Sequence, residues 1–312
     1  MTGNYEEQGA DPGRAEERAR RRAADRRGLR RQRTLAGAAL VLVIGATAAA
    51  AVSLLSGGED TGATSATAPA KTGAESDAPP RKQGWRPYTG PVPILEYHVL
   101  GRPQGEVPYP DLYAPRAAFR KEMAWLARQG YEGVTLEEVE DAWYRGGTLP
   151  RKPVVISFDD GYRPQFTFAL PQLSKRGWPG VLNLKAEGSD LYESNVKAML
   201  AAGWELASHT IDHSDLTTLD PESLRREVSE SRQILRRDYG VPVADFCYPA
   251  GRFDPTVVAA VQAAGYSGAT TEIPGFATKE HPYELARIEV LGSWGVADLA
   301  AAMQSGAAAA RA

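Results

Sequence analysis

The chain has 312 residues, with 36 basic and 39 acidic side chains for a net charge of −3, and 43% of it is hydrophobic. A single cysteine, Cys247, excludes an intrachain disulfide, so the folded part is held by its core alone. Residues 14–33 carry ten arginines against Glu16, Glu17 and Asp25, while the rest beyond residue 33 is acidic, 26 basic to 33 acidic side chains, which argues against nucleic acid as substrate.

Residues 1–34 thus read as a basic cytoplasmic segment. Leu35–Leu55 follows with no charge in 21 residues; as a helix it would be roughly 31 Å long, about one bilayer core. The small residues Ala48–Ala51 offer a cleavage site, but the apolar run is longer than a signal peptide's. The expectation is an uncleaved single-pass anchor that leaves the C-terminal bulk outside the cell. The only cysteine lies too far away for a lipoprotein. Residues 56–90, rich in Gly, Ala, Ser, Thr and Pro, read as a disordered linker. A catalytic domain over residues 91–305 is expected after it.

In that domain Pro93–Val99 reads as a strand ending at Tyr97-His98. A loop rich in Pro and Gly runs to Tyr113, and Pro115 opens a helix with Phe119, Met123 and Leu126 on its apolar face. Leu136–Tyr144 reads as a second helix. Pro153 then introduces Val154-Val155-Ile156-Ser157-Phe158-Asp159-Asp160-Gly161, a buried strand that ends in two acids and a glycine. A helix near 164–175, kinked by Pro171, leads to a strand at 180–184 and a helix at 194–202. Strand 204–208 delivers Ser208-His209-Thr210-Ile211-Asp212-His213. Asp220-Pro221 caps a long helix to about 238, followed by strand 243–248, helix 255–264, and strands 266–270 and 285–290. Strands alternating with helices predict an α/β fold with parallel pairing, a sheet or barrel with its functional residues at the carboxyl ends of the strands.

Chemistry concentrates at two of those ends. Adjacent carboxylates on a strand point to opposite faces unless the backbone turns, and Gly161 permits a turn. The chain has only four histidines, and two of them stand at i and i+4 in the 209–213 loop. An aspartate plus two histidines with a position left open is the composition of a catalytic zinc site.

Ser157-Phe158-Asp159-Asp160-Gly161 and Ser208-His209-Thr210 through His213 resemble the first two motifs of the polysaccharide deacetylases of carbohydrate esterase family 4, the NodB homology domain. Ile94-Leu95-Glu96-Tyr97-His98, Gly203-Trp204-Glu205-Leu206 and Tyr248-Pro249-Ala250-Gly251 match in context. The resemblance implies a distorted (β/α) barrel of about seven strands, preceded here by the single transmembrane helix and the linker. It implies a divalent metal, zinc foremost, on Asp160, His209 and His213, with Asp159 as general base and the Ala250 backbone N–H as oxyanion donor. The motif pattern is closest to members that resemble deacetylases of β-1,6-linked poly-N-acetylglucosamine.

Three positions depart from the family. Cys247 stands where an arginine usually holds the catalytic acid. No Asp-Trp pair appears near Thr270-Thr271-Glu272, and no Leu-x-His appears near Ile288–Leu291, where the general acid is expected. His98, at a strand end on the same face, is the candidate replacement, although a hydrogen-bonded core histidine fits as well. His281 reads as a surface residue and Cys247 as a small buried hydrophobe. Trp204 and Trp294 read as core rather than sugar platforms. The expected activity is removal of N-acetyl groups from an extracellular N-acetylglucosamine-containing polysaccharide, peptidoglycan or exopolysaccharide. An O-acetyl esterase and a non-catalytic carbohydrate-binding relic are the alternatives. No protein partner is expected beyond the substrate and the membrane.

Overall fold

The computed structural model describes residues 84–310, all within the compact unit Ala78–Ala312. The strands are β1 Arg86–Pro87, β2 Ile94–Tyr97, β3 Val99–Leu100, β4 Tyr113–Ala114, β5 Glu132–Val134, β6 Thr148–Leu149, β7 Pro153–Asp159, β8 Val181–Leu184, β9 Glu205–Ser208, β10 Asp245–Cys247, β11 Gly268–Pro274 and β12 Leu285–Glu289. The helices are α1 Arg116–Arg128, α2 Leu136–Tyr144, α3 Leu170–Ser174, α4 Glu193–Ala201, α5 Pro221–Arg225, α6 Ser231–Tyr239, α7 Pro255–Ala263 and α8 Val296–Ala309.

Strands β7 to β12 lie neighbour to neighbour, and β2 pairs with both β12 and β7, so seven parallel strands close on themselves. That is the expected (β/α) barrel. Its distortion has a cause in β7. The strand pairs with β5 through residues 153–155 and with β8 through residues 157–159, so two strands are pinned to different halves of one. All seven residues of β7 are buried, which is what a strand covered on both faces requires. Pro153 opens it, where a missing N–H costs least.

Alternate residues separate two apolar layers. Leu95, Tyr97, Val154, Ile156, Phe158, Leu182, Leu206 and Phe246 pack outward against the helices. Ile94, Val155, Val181, Ala207 and Leu285 point to the other side and form a layer of their own. Glu96, Ser157, Asp159, Asn183, His209, Cys247 and Arg287 share the parity of that inner set, one or two steps nearer the carboxyl ends. The period of two thus puts polar groups above an apolar floor.

Helix starts follow their caps. Thr135 and Glu138 form a reciprocal capping box on α2, and Asp220 accepts from Glu222 and Ser223 N–H at 2.9 and 3.1 Å at the start of α5. The long helix expected over 220–238 widens into a π-turn at Arg226–Glu230 between α5 and α6. A second π-turn, Gln165–Ala169, precedes α3, where Pro171 deprives a carbonyl one turn back of its donor. Strand β5 and helix α8 were not expected from the sequence.

The disordered linker expected up to residue 90 needs correction at its end. Arg86–Pro87 pairs with Thr148–Leu149, Trp85 and Tyr88 pack on the inner apolar layer, and Trp143 Nε1 donates to the Gly90 carbonyl at 3.0 Å. Aromatic contacts outweigh the local Gly/Pro composition there. The basic segment 1–34, the apolar segment 35–55 and the rest of the linker lie outside the described residues. Among the described residues no helix is long and apolar enough to cross a membrane.

Candidate active site

Strand β7 delivers Asp159 in extended backbone, and the chain then turns at Asp160, whose φ is +71°. The Gly161 N–H closes back on the Asp159 carbonyl at 2.9 Å, a three-residue turn centred on Asp160. Aspartate tolerates the left-handed region better than most residues. Gly161 follows at φ +77°, and a Cβ there would overlap Ser189 and Leu184. The turn sends the two carboxylates to different partners, so their repulsion is offset twice.

Asp159 is held on its inner side. Arg287 Nη1, from β12, donates to both of its oxygens at 2.9 Å, and Asn183 Nδ2, from β8, donates to Oδ1 at 2.7 Å. The Cys247 thiol sits 3.5 Å from Oδ2. Burial alone would raise this carboxyl, but the Arg287 guanidinium and the neighbouring imidazoles hold it well below the usual carboxylate range. The guanidinium that the family places at position 247 thus comes from Arg287.

Asp160 faces the histidines. Its Oδ1 lies 3.9 Å from His209 Nε2, 3.8 Å from His213 Nε2 and 3.3 Å from Lys185 Nζ. Burial pushes its carboxyl up, but Lys185 and the imidazoles more than reverse that, and the net shift is downward. His209 is buried, and its Nδ1 lies 2.8 Å from the Cys247 carbonyl. Nδ1–H therefore donates, and Nε2 keeps its lone pair for a ligand. Burial, reinforced by His213, pushes His209 down to about 4, and burial also lowers His213, so both rings are neutral at pH 7.

The loop that carries these rings is held from below. Thr210 and His213 have φ of +63° and +77°. The Thr210 hydroxyl accepts from His213 N–H at 2.9 Å, and Glu227, on the π-turn, accepts from Ile211 N–H at 2.8 Å. Among the described residues the non-glycines with positive φ are Asp160, Thr210, His213 and Ala250. Three of them are expected site residues and Thr210 lies in the same loop between His209 and His213, where strain of this kind tends to collect.

The set fits a divalent cation. Asp160, His209 and His213 offer three ligand atoms within 4.8 Å of one another. Ligands at about 2.0–2.1 Å in tetrahedral array stand roughly 3.3 Å apart, so the two Asp160–histidine spacings of 3.9 and 3.8 Å would close by about half an ångström.

Two further candidates flank this centre. His98, just after β2, places Nε2 3.7 Å from Glu96 Oε1, and Glu96, His98 and Asp159 also offer atoms within 4.8 Å of one another. Ala250 follows Pro249 at the end of β10, exposed and at φ +50°. His281 is exposed, Trp204 is buried against Phe158 with ring centres 5.0 Å apart, and Trp294 is half-buried on the core.

The sequence reading missed Glu96, Asn183, Lys185 and Arg287. For three of them a signal was present. Glu96 lies between Leu95 and Tyr97, Asn183 between Leu182 and Leu184, and Arg287 two residues from Leu285 on the same face. A polar side chain inside an otherwise apolar strand points into a polar interior.

Residues 146–269 match the family model described as polysaccharide deacetylase. YxkH of Bacillus subtilis (strain 168), whose name carries the same two words, is 30% identical over 204 residues, 64% of this chain and 71% of its own length. The poly-beta-1,6-N-acetyl-D-glucosamine N-deacetylase of Escherichia coli (strain K12) is 40% identical over 65 residues, 21% of this chain and 10% of that protein. BC0361, a polysaccharide deacetylase from Bacillus cereus, superposes with a TM-score of 0.60 at 26% identity, over 68% of each chain. With barrel, motifs and relatives in agreement, the chain belongs to the polysaccharide deacetylase family.

Proposed function

We propose that this polysaccharide deacetylase is a metal-dependent hydrolase that removes N-acetyl groups from an N-acetylglucosamine polymer outside the cell. One observation carries the reading: a buried, ionised Asp159 stands beside three neutral or anionic ligands, Asp160, His209 and His213, converging on one point. The 65-residue match to a poly-N-acetylglucosamine deacetylase supports the substrate class. The arginine-rich segment before the apolar run 35–55 supports a membrane-anchored domain on the outer side.

Asp160, His209 and His213 would hold the cation, zinc by the chemistry of the donors. When bound, it supplies a Lewis acid for the acetyl carbonyl and acidifies water. Asp159 takes a proton from the attacking water. Arg287 keeps it ionised, the form a base needs. The Ala250 N–H donates to the carbonyl oxygen as that oxygen gains charge. His98 gives a proton to the departing amine, which an amide needs more than an ester does.

The test separates the two acids. Asp159→Asn should cut turnover by about 10²- to 10⁴-fold with metal retained, whereas Asp160→Asn, His209→Ala and His213→Ala should lose metal. Elemental analysis of each variant beside turnover of N-acetylglucosamine oligomers decides it, and full metal in both histidine variants would sink the assignment.

A further inference from the structure

The two aspartates at the end of β7 have counter-ions of different kinds. Asp159 is gripped by Arg287, which donates to both of its oxygens at 2.9 Å. Asp160 faces Lys185, whose Nζ stands 3.3 Å from Oδ1. A guanidinium is a rigid fork that fixes a carboxylate, whereas an ammonium is a point charge on a flexible stem. The first is built to stay, and the second can leave.

Lys185 reaches this place by the alternation of β8. Asn183 points inward to Asp159 and Leu184 outward to the helices, so the next residue returns to the inner side. Its side chain is 18% exposed, and among the described residues Asp160 is the one carboxylate within 4.0 Å of Nζ. The oxygen it faces is the same Oδ1 that stands 3.9 and 3.8 Å from the Nε2 atoms of His209 and His213. One oxygen is therefore asked to serve two cations, the lysine ammonium and the ion that the three ligands would share.

A count of charges shows which way this acts. Arg287 matches Asp159, and Lys185 matches Asp160. Imidazoles bind metals in their neutral form, so Asp160 is the sole anion of the ligand set. A divalent ion would meet that anion with its charge already matched and a like charge beside it. With a neutral side chain at 185 the same ion would meet it unmatched, and like charges a few ångströms apart repel strongly in a half-buried setting.

We infer that Lys185 is a built-in competitor for the catalytic cation, holding Asp160 Oδ1 against the ion and so setting how tightly and for how long the site keeps it. Lys185 acts through Asp160 and is a positioning residue. The consequence is an exchangeable site, whose occupancy follows the free cation around the domain. The inference rests on the reading of Asp160, His209 and His213 as the ligands.

Lys185→Met keeps most of the stem and removes the charge. In the full-length protein, titration of zinc against a chromophoric chelator should show binding tightened roughly 10- to 100-fold, with release to excess chelator slowed by a similar factor. Lys185→Arg, which keeps the charge, should stay close to the native affinity. Thermal unfolding gives a second readout. In chelator the methionine variant should melt below the native protein, because Asp160 has lost its counter-ion, and added zinc should raise its midpoint by more than it raises the native one. Lys185→Gln serves for both measurements should the methionine variant not fold. Unchanged or weaker zinc binding in the neutral variants overturns the inference, and so does an equal zinc-induced rise in midpoint. His209→Ala and His213→Ala, measured alongside, separate the two readings. Loss of zinc in both with an unmoved Lys185→Met affinity overturns the competitor alone, and full zinc in both overturns the ligand set with it.

Discussion

Arg287 shows how one side chain can replace a motif residue from another strand. It is 1% exposed, with Asp159 on one side and Glu96 on the other, and its Nε donates to the Thr271 carbonyl at 2.8 Å. A second guanidinium at position 247 would repel the first, which accounts for a small thiol there. Burial, the largest influence, pushes the Cys247 thiol well up, so thiol reagents should fail to label it in the folded protein and label it fully in denaturant. Arg287→Met would leave Asp159 and Glu96 without their shared counter-charge. Removing one partner of a buried ion pair costs about 3–5 kcal/mol, and urea unfolding should show a loss of that size. A loss under about 1 kcal/mol would mean that both carboxyls had been neutralised by protons instead.

At the scale of elements, the opposite end of the barrel carries its own titrating cluster. Asp245 opens β10 and Glu205 opens β9, while Glu140 comes from α2; the Glu205 carboxylate also accepts from Leu136 and Glu137 N–H at 2.7 and 3.0 Å, at the start of α2. Asp245 lies within hydrogen-bond reach of both glutamates, and two carboxyls can bond only through a proton. Burial raises all three, Glu205 to about 7 and Asp245 well above its ordinary value, while Arg145, 4.0 Å from Glu140, offsets little. A carboxyl raised in the folded state binds its proton more tightly there than in the unfolded chain. Its contribution to stability is complete below the unfolded value near 4 and fades as pH climbs through the folded one. Urea midpoints should therefore fall from about pH 5 to pH 8. Asp245→Asn should flatten that slope, and an unchanged slope would place the protons elsewhere.

At the scale of the molecule, the folded domain reaches back before residue 90. Tyr88 donates to the Pro91 carbonyl at 2.9 Å, and Trp85 and Tyr88 cover the inner apolar layer. A fragment starting at Pro91 should be about 2–4 kcal/mol less stable than one starting at Gly84, since it loses two half-buried aromatic rings and a strand pair. Thermal unfolding of the two fragments measures it. For the full chain we propose that the basic end stays inside and the domain outside. Protease added to intact spheroplasts should then release a fragment beginning between residues 56 and 84, and a full-length soluble cytoplasmic chain would contradict the anchor.

What was legible in the sequence follows from local physics. The apolar run into Asp159-Asp160-Gly161, the His209–His213 spacing and the alternation of strand with helix all act over a few residues, and the barrel and the proposed cation ligands follow from them. The α8 helix escaped notice because half of its residues are alanine, which leaves too little contrast around Leu299 and Met303 to show a period. Strand β5, three residues long, is made by its pairing with β7 rather than by its own pattern. The turn that separates the two aspartates lies in the φ of Asp160, which no propensity assigns to aspartate in advance. Arg287 stands 128 residues from Asp159, and Glu96 meets it only because β2 closes the ring between β12 and β7. The choice of candidate ligands was local information. The counter-charges depend on which strands become neighbours, and only barrel closure decides that.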